Sequence, residues 1–363
     1  MKIVGVDVGT MNIVSAQQVN KDKIETNNMR NMFIEISTDV INAQELSNTK
    51  LEYVIAHDDN GEIETAYIIG EDAFKFAQIF GKDVRRPMSK GVISTQEIDA
   101  VDVLTLMMEK LISKGRKDGT VIYSIPAQAV DIDTPPVLYH EKVFGKVFES
   151  LGYKSKPINE GMAIVYSNCA DSQFSGIGIS FGAGLTNVCC SYKGTTTLSF
   201  SVSRGGDWID QSVADSLGIS KARVTSIKER DLDLVTAFVG NKKEKRVREA
   251  LQFYYSNLIE YILKVIVKYF NQQSQGLNIN EDIPIIISGG TCLPKGFVDL
   301  FKEIFSKSKD FPYTISTIRQ ATDPLSAVAV GCLIYGLWEN KKIDTQPNQN
   351  SKEKNDENKG NKS

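Results

Sequence analysis

Two stretches of this chain repeat one arrangement of residue types, and both could present backbone amides to an anion. The first is Val4-Gly-Val-Asp-Val-Gly-Thr-Met-Asn-Ile-Val14, and the second is Ile177-Gly-Ile-Ser-Phe-Gly-Ala-Gly-Leu-Thr-Asn-Val188. Each is an apolar run, a Gly-rich turn and a second β-prone run. Holding a phosphate requires several N–H groups pointing into one small space, which glycines permit because no Cβ blocks the approach. Gly9, Thr10, Met11 and Asn12 offer this after the first run; Gly182, Ala183, Gly184 and Thr186 offer it after the second. One such hairpin is an ordinary turn. Two of them, with Gly289, Gly290 and Thr291 after a third apolar run, form a pattern in which two loops face the same phosphates. A sugar or base could then lie against the glycine pair.

Two acids accompany these loops. Asp7 ends the first run among apolar residues, where a carboxylate is costly to bury unless paired, hydrated or close to a cation. It reads either as a turn cap or as a holder of the water shell of Mg²⁺. Glu160 opens a helix just before the second loop. It reads either as an acid complementing the helix dipole or as the base that orients an attacking water. Ser180 occupies the position in the second repeat that Asp7 occupies in the first.

The elements that must place these residues alternate strands with helices. Residues 3–19 predict a hairpin, and residues 20–70 a polar insertion outside the central sheet, with its own hairpin, Leu51–His57 and Glu64–Ile69. A helix is expected near Glu71–Phe80, and another from about Thr95 to Ser113 on the spacing of Ile98, Val101, Leu104, Met108 and Leu111. Val121–Ile125 and Ile283–Ile287 read as buried strands, and Lys221–Gln275 as a charged helical insertion. Strand-to-helix alternation with Gly-rich turns indicates an α/β protein with parallel or mixed sheets, and the repeated hairpin indicates two similar halves.

Composition bounds the function classes. At 363 residues, with 41% hydrophobic and 24% charged residues, the chain suits a globular protein of two or three domains. A net charge of −3 gives no basic excess for nucleic acid. The five cysteines lack metal-binding spacing and suit buried thiols of a reduced, cytoplasmic protein. The two histidines, His57 and His140, are expected at the surface, and no signal peptide is expected. Leu251–Phe270, interrupted by Glu260, Lys264 and Lys268, reads as a core helix rather than a membrane span. From Glu339 onward the chain is polar and expected to be disordered.

On these motifs the chain resembles the actin, heat-shock chaperone and sugar kinase superfamily of ATPases. It is most like bacterial actins of the MreB and magnetosome-filament type. Asp7-Val-Gly-Thr10 resembles the family's phosphate 1 motif and Ser180-Phe-Gly-Ala-Gly-Leu-Thr186 its phosphate 2 motif. Glu160-Gly-Met-Ala163 resembles the first connecting motif, in which Pro is commoner than Gly161. Ile287-Ser-Gly-Gly-Thr-Cys-Leu-Pro294 resembles the adenosine motif, and Asp323–Gly331 the second connecting helix. Arg86-Pro-Met-Ser-Lys-Gly-Val-Ile93 is close to a bacterial-actin segment.

The resemblance implies a duplicated actin-like (ribonuclease H-like) fold: two lobes, each a mixed β-sheet flanked by helices, plus inserted subdomains. Lobe I would span 1–157 with an insertion at about 20–85. Lobe II would span 158–338 with an insertion at about 215–280, its last helix, 324–338, packing back on lobe I, and 339–363 would be the tail. It implies that the two loops clamp the β- and γ-phosphates of ATP, with Gly205, Gly206 and Asp207 near the ribose and Lys228 and Glu229 beside the adenine. Gly289, Gly290 and Thr291 would close the other side. Glu160 would position the hydrolytic water, with Mg²⁺ held through water by Asp7 and weakly by Ser180.

The family usually begins phosphate 2 with Asp, so Ser180 predicts nucleotide binding more firmly than turnover. The functional expectation is a nucleotide-dependent cytoskeletal filament or scaffold that binds ATP or ADP, self-associates and takes a protein partner. The alternatives are a non-hydrolysing nucleotide-bound scaffold and a chaperone-type ATPase without a substrate-binding domain; a sugar kinase would need a sugar-facing base that nothing singles out. Met32-Phe33-Ile34 reads either as a membrane contact or as strand core.

Overall fold

The computed structural model describes residues 2–36, 48–57, 60, 61, 63–80, 84–113, 119–132, 137–273, 279, 281–308 and 310–345. Two five-stranded sheets organise the chain. The first contains β1 (Ile3–Val8), β2 (Asn12–Asn20), β3 (Lys23–Arg30), β9 (Thr120–Ile125) and β10 (Lys154–Asn159), in the order β10-β9-β1-β2-β3. The second contains β11 (Gly176–Phe181), β12 (Thr186–Tyr192), β13 (Thr195–Val202), β14 (Ile283–Ser288) and β15 (Ile315–Gln320), in the order β13-β12-β11-β14-β15. In each, three strands form an antiparallel meander, and two more add in parallel beside the first. The two halves therefore have one topology, as the repeated hairpin predicts.

Every residue of β11 and β14 is buried, as expected of strands covered on both faces. β3 is different. Residues 20–30 were expected outside the central sheet, yet Lys23–Arg30 pairs along β2 as its edge strand. Its first six residues are exposed, so a polar sequence suits it. Outside the central sheet, β4 (Phe33–Ile36), β5 (Tyr53–His57) and β6 (Ile63–Ile69) form a three-stranded sheet in the order β4-β6-β5. The helix α1 (Gly70–Phe80) follows, and then the short pair β7 (Met88–Ser89) and β8 (Val92–Ile93). Met32, Phe33 and Ile34 are buried, so they are core here.

In the first half, α2 (Ala100–Ile112) starts five residues later than its periodicity predicts, and α3 (Val137–Ser150) precedes β10. α2 buries Val103, Leu104, Met107 and Met108, and α3 buries Phe144 and Phe148. His140 lies in α3 and is fully buried, not at the surface as expected, with its ring 4.8 Å from that of Phe144. In the second half, α5 (Gly206–Leu217), α6 (Lys221–Asp231) and α7 (Lys242–Gln273) cover the sheet. Leu251, Tyr255, Leu258, Ile262 and Ile266 form the buried stripe of α7. No described helix is long and apolar enough to cross a membrane. All five cysteines are buried and unpaired.

Two helices join the halves. α4 (Glu160–Asn168) follows the last strand of the first sheet but packs on β11 and β12; the final helix, α9 (Ala327–Thr345), follows the second sheet but packs on β1. Between them in sequence, α8 (Phe297–Lys307) leads from β14 to β15. α9 runs beyond Glu339, the expected start of the tail, and Glu339 bonds to Lys156 and to Tyr335 at 2.6 Å. The rest of the expected tail, 346–363, lies outside the described residues.

Candidate functional site

The repeated hairpins close with loops of one construction. β1 and β2 end their pairing at Val8 and Ile13, and β11 and β12 at Phe181 and Thr186, so residues 9–12 and 182–185 are the intervening loops. In the first, the Gly9 N–H donates to the Asn12 carbonyl at 3.0 Å; in the second, the Gly182 N–H donates to the Leu185 carbonyl at 3.0 Å. A Cβ at Gly9 would lie 2.6 Å from the Asn12 oxygen, and one at Gly182 2.8 Å from that of Leu185. Glycine is required at both first positions for one reason.

The carbonyls of both loops are held from outside. Asn31 donates to Gly9 through Nδ2 at 2.9 Å and to Met11 through its backbone N–H at 2.8 Å. Gly206 N–H and Thr291 Oγ1 donate to Gly182 at 3.0 and 2.8 Å, and Asp207 N–H donates to Ala183 at 2.9 Å. In a trans peptide the N–H points opposite to its carbonyl. The N–H groups of Thr10, Asn12, Ala183 and Gly184 are therefore directed away from these anchors. The loops also meet: Thr10 Oγ1 accepts from the Gly91 N–H at 2.9 Å, and a Cβ at Gly184 would lie 2.6 Å from that oxygen.

Between the loops stand the two acids. Asp7 Oδ1 accepts from Ser124 Oγ at 2.8 Å. Burial pushes the Asp7 carboxyl above its ordinary range, against the pull of that hydrogen bond. Glu160 is the first residue of α4, whose N-terminus is capped by Asn159 accepting from the Met162 N–H. Its Oε2 accepts from Asn187 Nδ2 at 2.6 Å. Burial, and then the Asp7 charge, raise the Glu160 carboxyl further, while hydrogen bonds from Ser180 and Asn187 oppose the rise. Two mutually repelling acids at the foot of one cleft suit a bound cation. Among the described residues no three His, Cys, Asp or Glu side chains form a metal cage. Two acids and a hydroxyl suit an ion that keeps most of its water.

The cleft holds about 870 Å³ and brings together Asp7, Gly9, Thr10, Met11, Asn12, Glu160, Ser180, Gly182, Ala183, Gly184, Gly206, Asp207, Lys228, Glu229, Gly289, Gly290 and Thr291. Two expected residues do not line it. Gly205 packs behind the second loop, where a Cβ would lie 2.5 Å from the Gly182 oxygen. Thr186 is buried, its hydroxyl donating to the Arg204 carbonyl at 2.7 Å. Asp207, expected near a ribose, has its carboxylate engaged by Arg86 at 2.8 Å and Lys221 at 3.0 Å. Burial would raise it, but those two cations hold it below its ordinary range. Lys228 reaches Asp210 at 2.8 Å, and Glu229 accepts from Arg30 at 2.9 Å.

Sequence reasoning missed Ser124, Asn187, Arg30 and Asn31. Ser124 carried a signal, being a polar residue between Tyr123 and Ile125 in a mostly apolar strand, whereas Asn187 stands in a strand that also holds Thr186 and Ser191. Arg30 and Asn31 carried none, because their partners lie far away in the chain or follow from the loop's fold.

A family model described as Volactin matches residues 1–335. Several solved structures are similar in fold. One, "MamK double helical filament", has a TM-score of 0.67 at 17% identity, covering 95% of this chain and 99% of the other. MreB5 of Spiroplasma citri bound to ADP has a TM-score of 0.65 at 15% identity, covering 95% and 99%. The ethanolamine utilization protein EutJ from Carboxydothermus hydrogenoformans has a TM-score of 0.52 at 16% identity, covering 93% and 90%. No curated protein sequence matches. The likenesses show the actin-like fold, with two mixed sheets flanked by helices in two lobes.

Proposed function

The chain belongs to the Volactin family, and we propose that it is an actin-like ATP-binding protein whose lobes close on nucleotide and whose nucleotide state governs its assembly into filaments. The observation that carries this reading is the pair of matched loops. They abut at Thr10, Gly91 and Gly184, direct N–H groups away from their anchors, and enclose Asp7 and Glu160 in one cleft. Such paired cradles suit the β- and γ-phosphates of ATP.

In this reading Gly289, Gly290 and Thr291 flank the nucleoside on one side and Lys228 and Glu229 on the other. Asp7 and Ser180 hold the water shell of Mg²⁺, which supplies charge neutralisation on the phosphates when bound. Glu160, held by Asn187, accepts a hydrogen bond from the water that attacks the γ-phosphorus. The N–H groups of the loops stabilise charge on the phosphate oxygens. MreB5 is bound to ADP in one solved structure and to AMPPNP in another, which supports a nucleotide ligand here. MamK in a double helical filament supports self-association here. Buried, unpaired thiols support a reducing, cytoplasmic location.

A second reading, a scaffold that keeps nucleotide without hydrolysing it, is favoured by the serine at position 180. One set of measurements separates the two. Purified protein is expected to bind ATP with Mg²⁺, to sediment as polymer with it, and to release phosphate slowly. Glu160→Gln should abolish phosphate release while binding persists. Binding and polymer without phosphate release would support the scaffold, and absence of ATP binding would overturn both readings.

A further inference from the structure

Asn31 joins β3 to β4, where the chain leaves the first central sheet for the three-stranded one. It is fully buried. Its Nδ2 donates to the Gly9 carbonyl at 2.9 Å, but its Oδ1 has no partner among the described residues. A buried amide oxygen left unpaired costs folding free energy, which an apolar side chain of similar size would avoid. Stability alone therefore gives no reason for an asparagine here. The contact with Gly9 does.

The second loop is anchored by three groups, from Gly206, Asp207 and Thr291. The first loop is anchored through Asn31, by one side-chain and one backbone bond. We propose that Asn31 is a positioning residue for phosphate binding: by holding the Gly9 carbonyl behind the loop, it aims the Thr10 N–H at the phosphate chain. This rests on the nucleotide reading above. Asn31 touches no ligand in this account and acts through Gly9.

Two variants test it, with ligand-free thermal midpoint and the affinities for MgATP and adenosine measured by titration calorimetry. Asn31→Leu removes the donor and the orphaned oxygen together. Asn31→Asp keeps the shape but sets an acceptor against the Gly9 carbonyl. In Asn31→Leu the orphaned oxygen is gone but the half-buried Gly9 carbonyl loses its donor, so the midpoint should stay near wild type while MgATP affinity falls about five- to tenfold, the worth of one neutral hydrogen bond. MgATP affinity should fall further in Asn31→Asp, and adenosine affinity should stay unchanged in both. Unchanged MgATP affinity in both variants overturns the proposal, as does parallel weakening of MgATP and adenosine. A Leu variant well below wild type in midpoint makes Asn31 a packing residue and also overturns it. Wild-type protein that binds neither ligand overturns the nucleotide reading, and this inference with it.

Discussion

At the scale of single residues, Ser180 is better understood beside Glu160 than as a missing acid. Ser180 pairs across the hairpin with Asn187, whereas Asp7 in the first repeat pairs with Val14. Both Ser180 and Asn187 hydrogen-bond Glu160, so the second lobe holds by neutral donors an acid already repelled by Asp7. Ser180→Asp would replace a donor with a third negative charge. The ligand-free melting temperature should fall at pH 8, and Mg²⁺ should affect ATP binding and turnover more steeply. A Mg²⁺ dependence identical to wild type would count against this account. His140 gives a second prediction, far from the cleft. Burial pushes it down to about 4, and neither ring nitrogen has a partner among the described residues. Between its unfolded value of about 6.5 and that folded value, the unfolded chain binds the extra proton. Stability is therefore lost as pH falls through this window, by up to about 3 kcal/mol. His140→Phe should remove that part of the slope in denaturant titrations from pH 7 to 4. Asp7 and Glu160 were legible because acids beside Gly-rich loops are chemically conspicuous. Arg30 and Asn31 were not, because only folding brings them to their partners.

At the scale of elements, the two connecting helices are packed so closely that backbone touches backbone. A Cβ at Gly331 in α9 would lie 1.8 Å from the Ala163 carbonyl of α4, and one at Gly5 in β1 would lie 2.1 Å from that of Ala329. Gly161 stands where the resembled motif more often has Pro. Here a Cβ at Gly161 would lie 2.6 Å from Cys189 Cβ, and one at Gly178 2.3 Å from the Gly161 carbonyl. α4 therefore lies directly on the second sheet through a glycine pair that no periodicity reveals. Gly331→Ala should destabilise by about 3 kcal/mol, since a carbonyl in a helix cannot rotate aside. Gly336→Ala, whose Cβ would lie 2.7 Å from Ile122 Cγ1, should lose about 1 kcal/mol, because a side chain can turn away. Equal losses in chemical denaturation would overturn the distinction. The strands around each loop were legible from apolar runs and glycines. β3 was not, because an edge strand facing water carries no hydrophobic signature.

At the scale of the whole molecule, two ion pairs among the described residues tie the lobes together across the cleft. Arg30, at the end of β3, reaches Glu229 at 2.9 Å and Glu71 at 2.5 Å; Arg86 reaches Asp207 at 2.8 Å. These side chains are roughly a quarter to a third exposed, so each cross-lobe pair is worth at most about 1 kcal/mol in water. In the proposed reading they together bias the open–closed equilibrium by up to about thirtyfold. Glu229 is expected beside the adenine, so Arg30 is paired with a group that nucleotide would meet. A ligand shifts such an equilibrium only by binding one form better than the other. Weakening the pairs should therefore open the ligand-free molecule and leave more of the closing to nucleotide. The double variant Arg30→Met, Arg86→Met is expected to show a larger radius of gyration by X-ray scattering. Its amide exchange should be faster at residues 182–185, and MgATP should restore wild-type values of both. Raising salt to 0.5 M should open the wild type similarly, because partly exposed pairs are screened, and should change the double variant little. If scattering and exchange match wild type at both salt levels, the lobes are held by the packed connecting helices alone, and the ion pairs follow closure rather than set it.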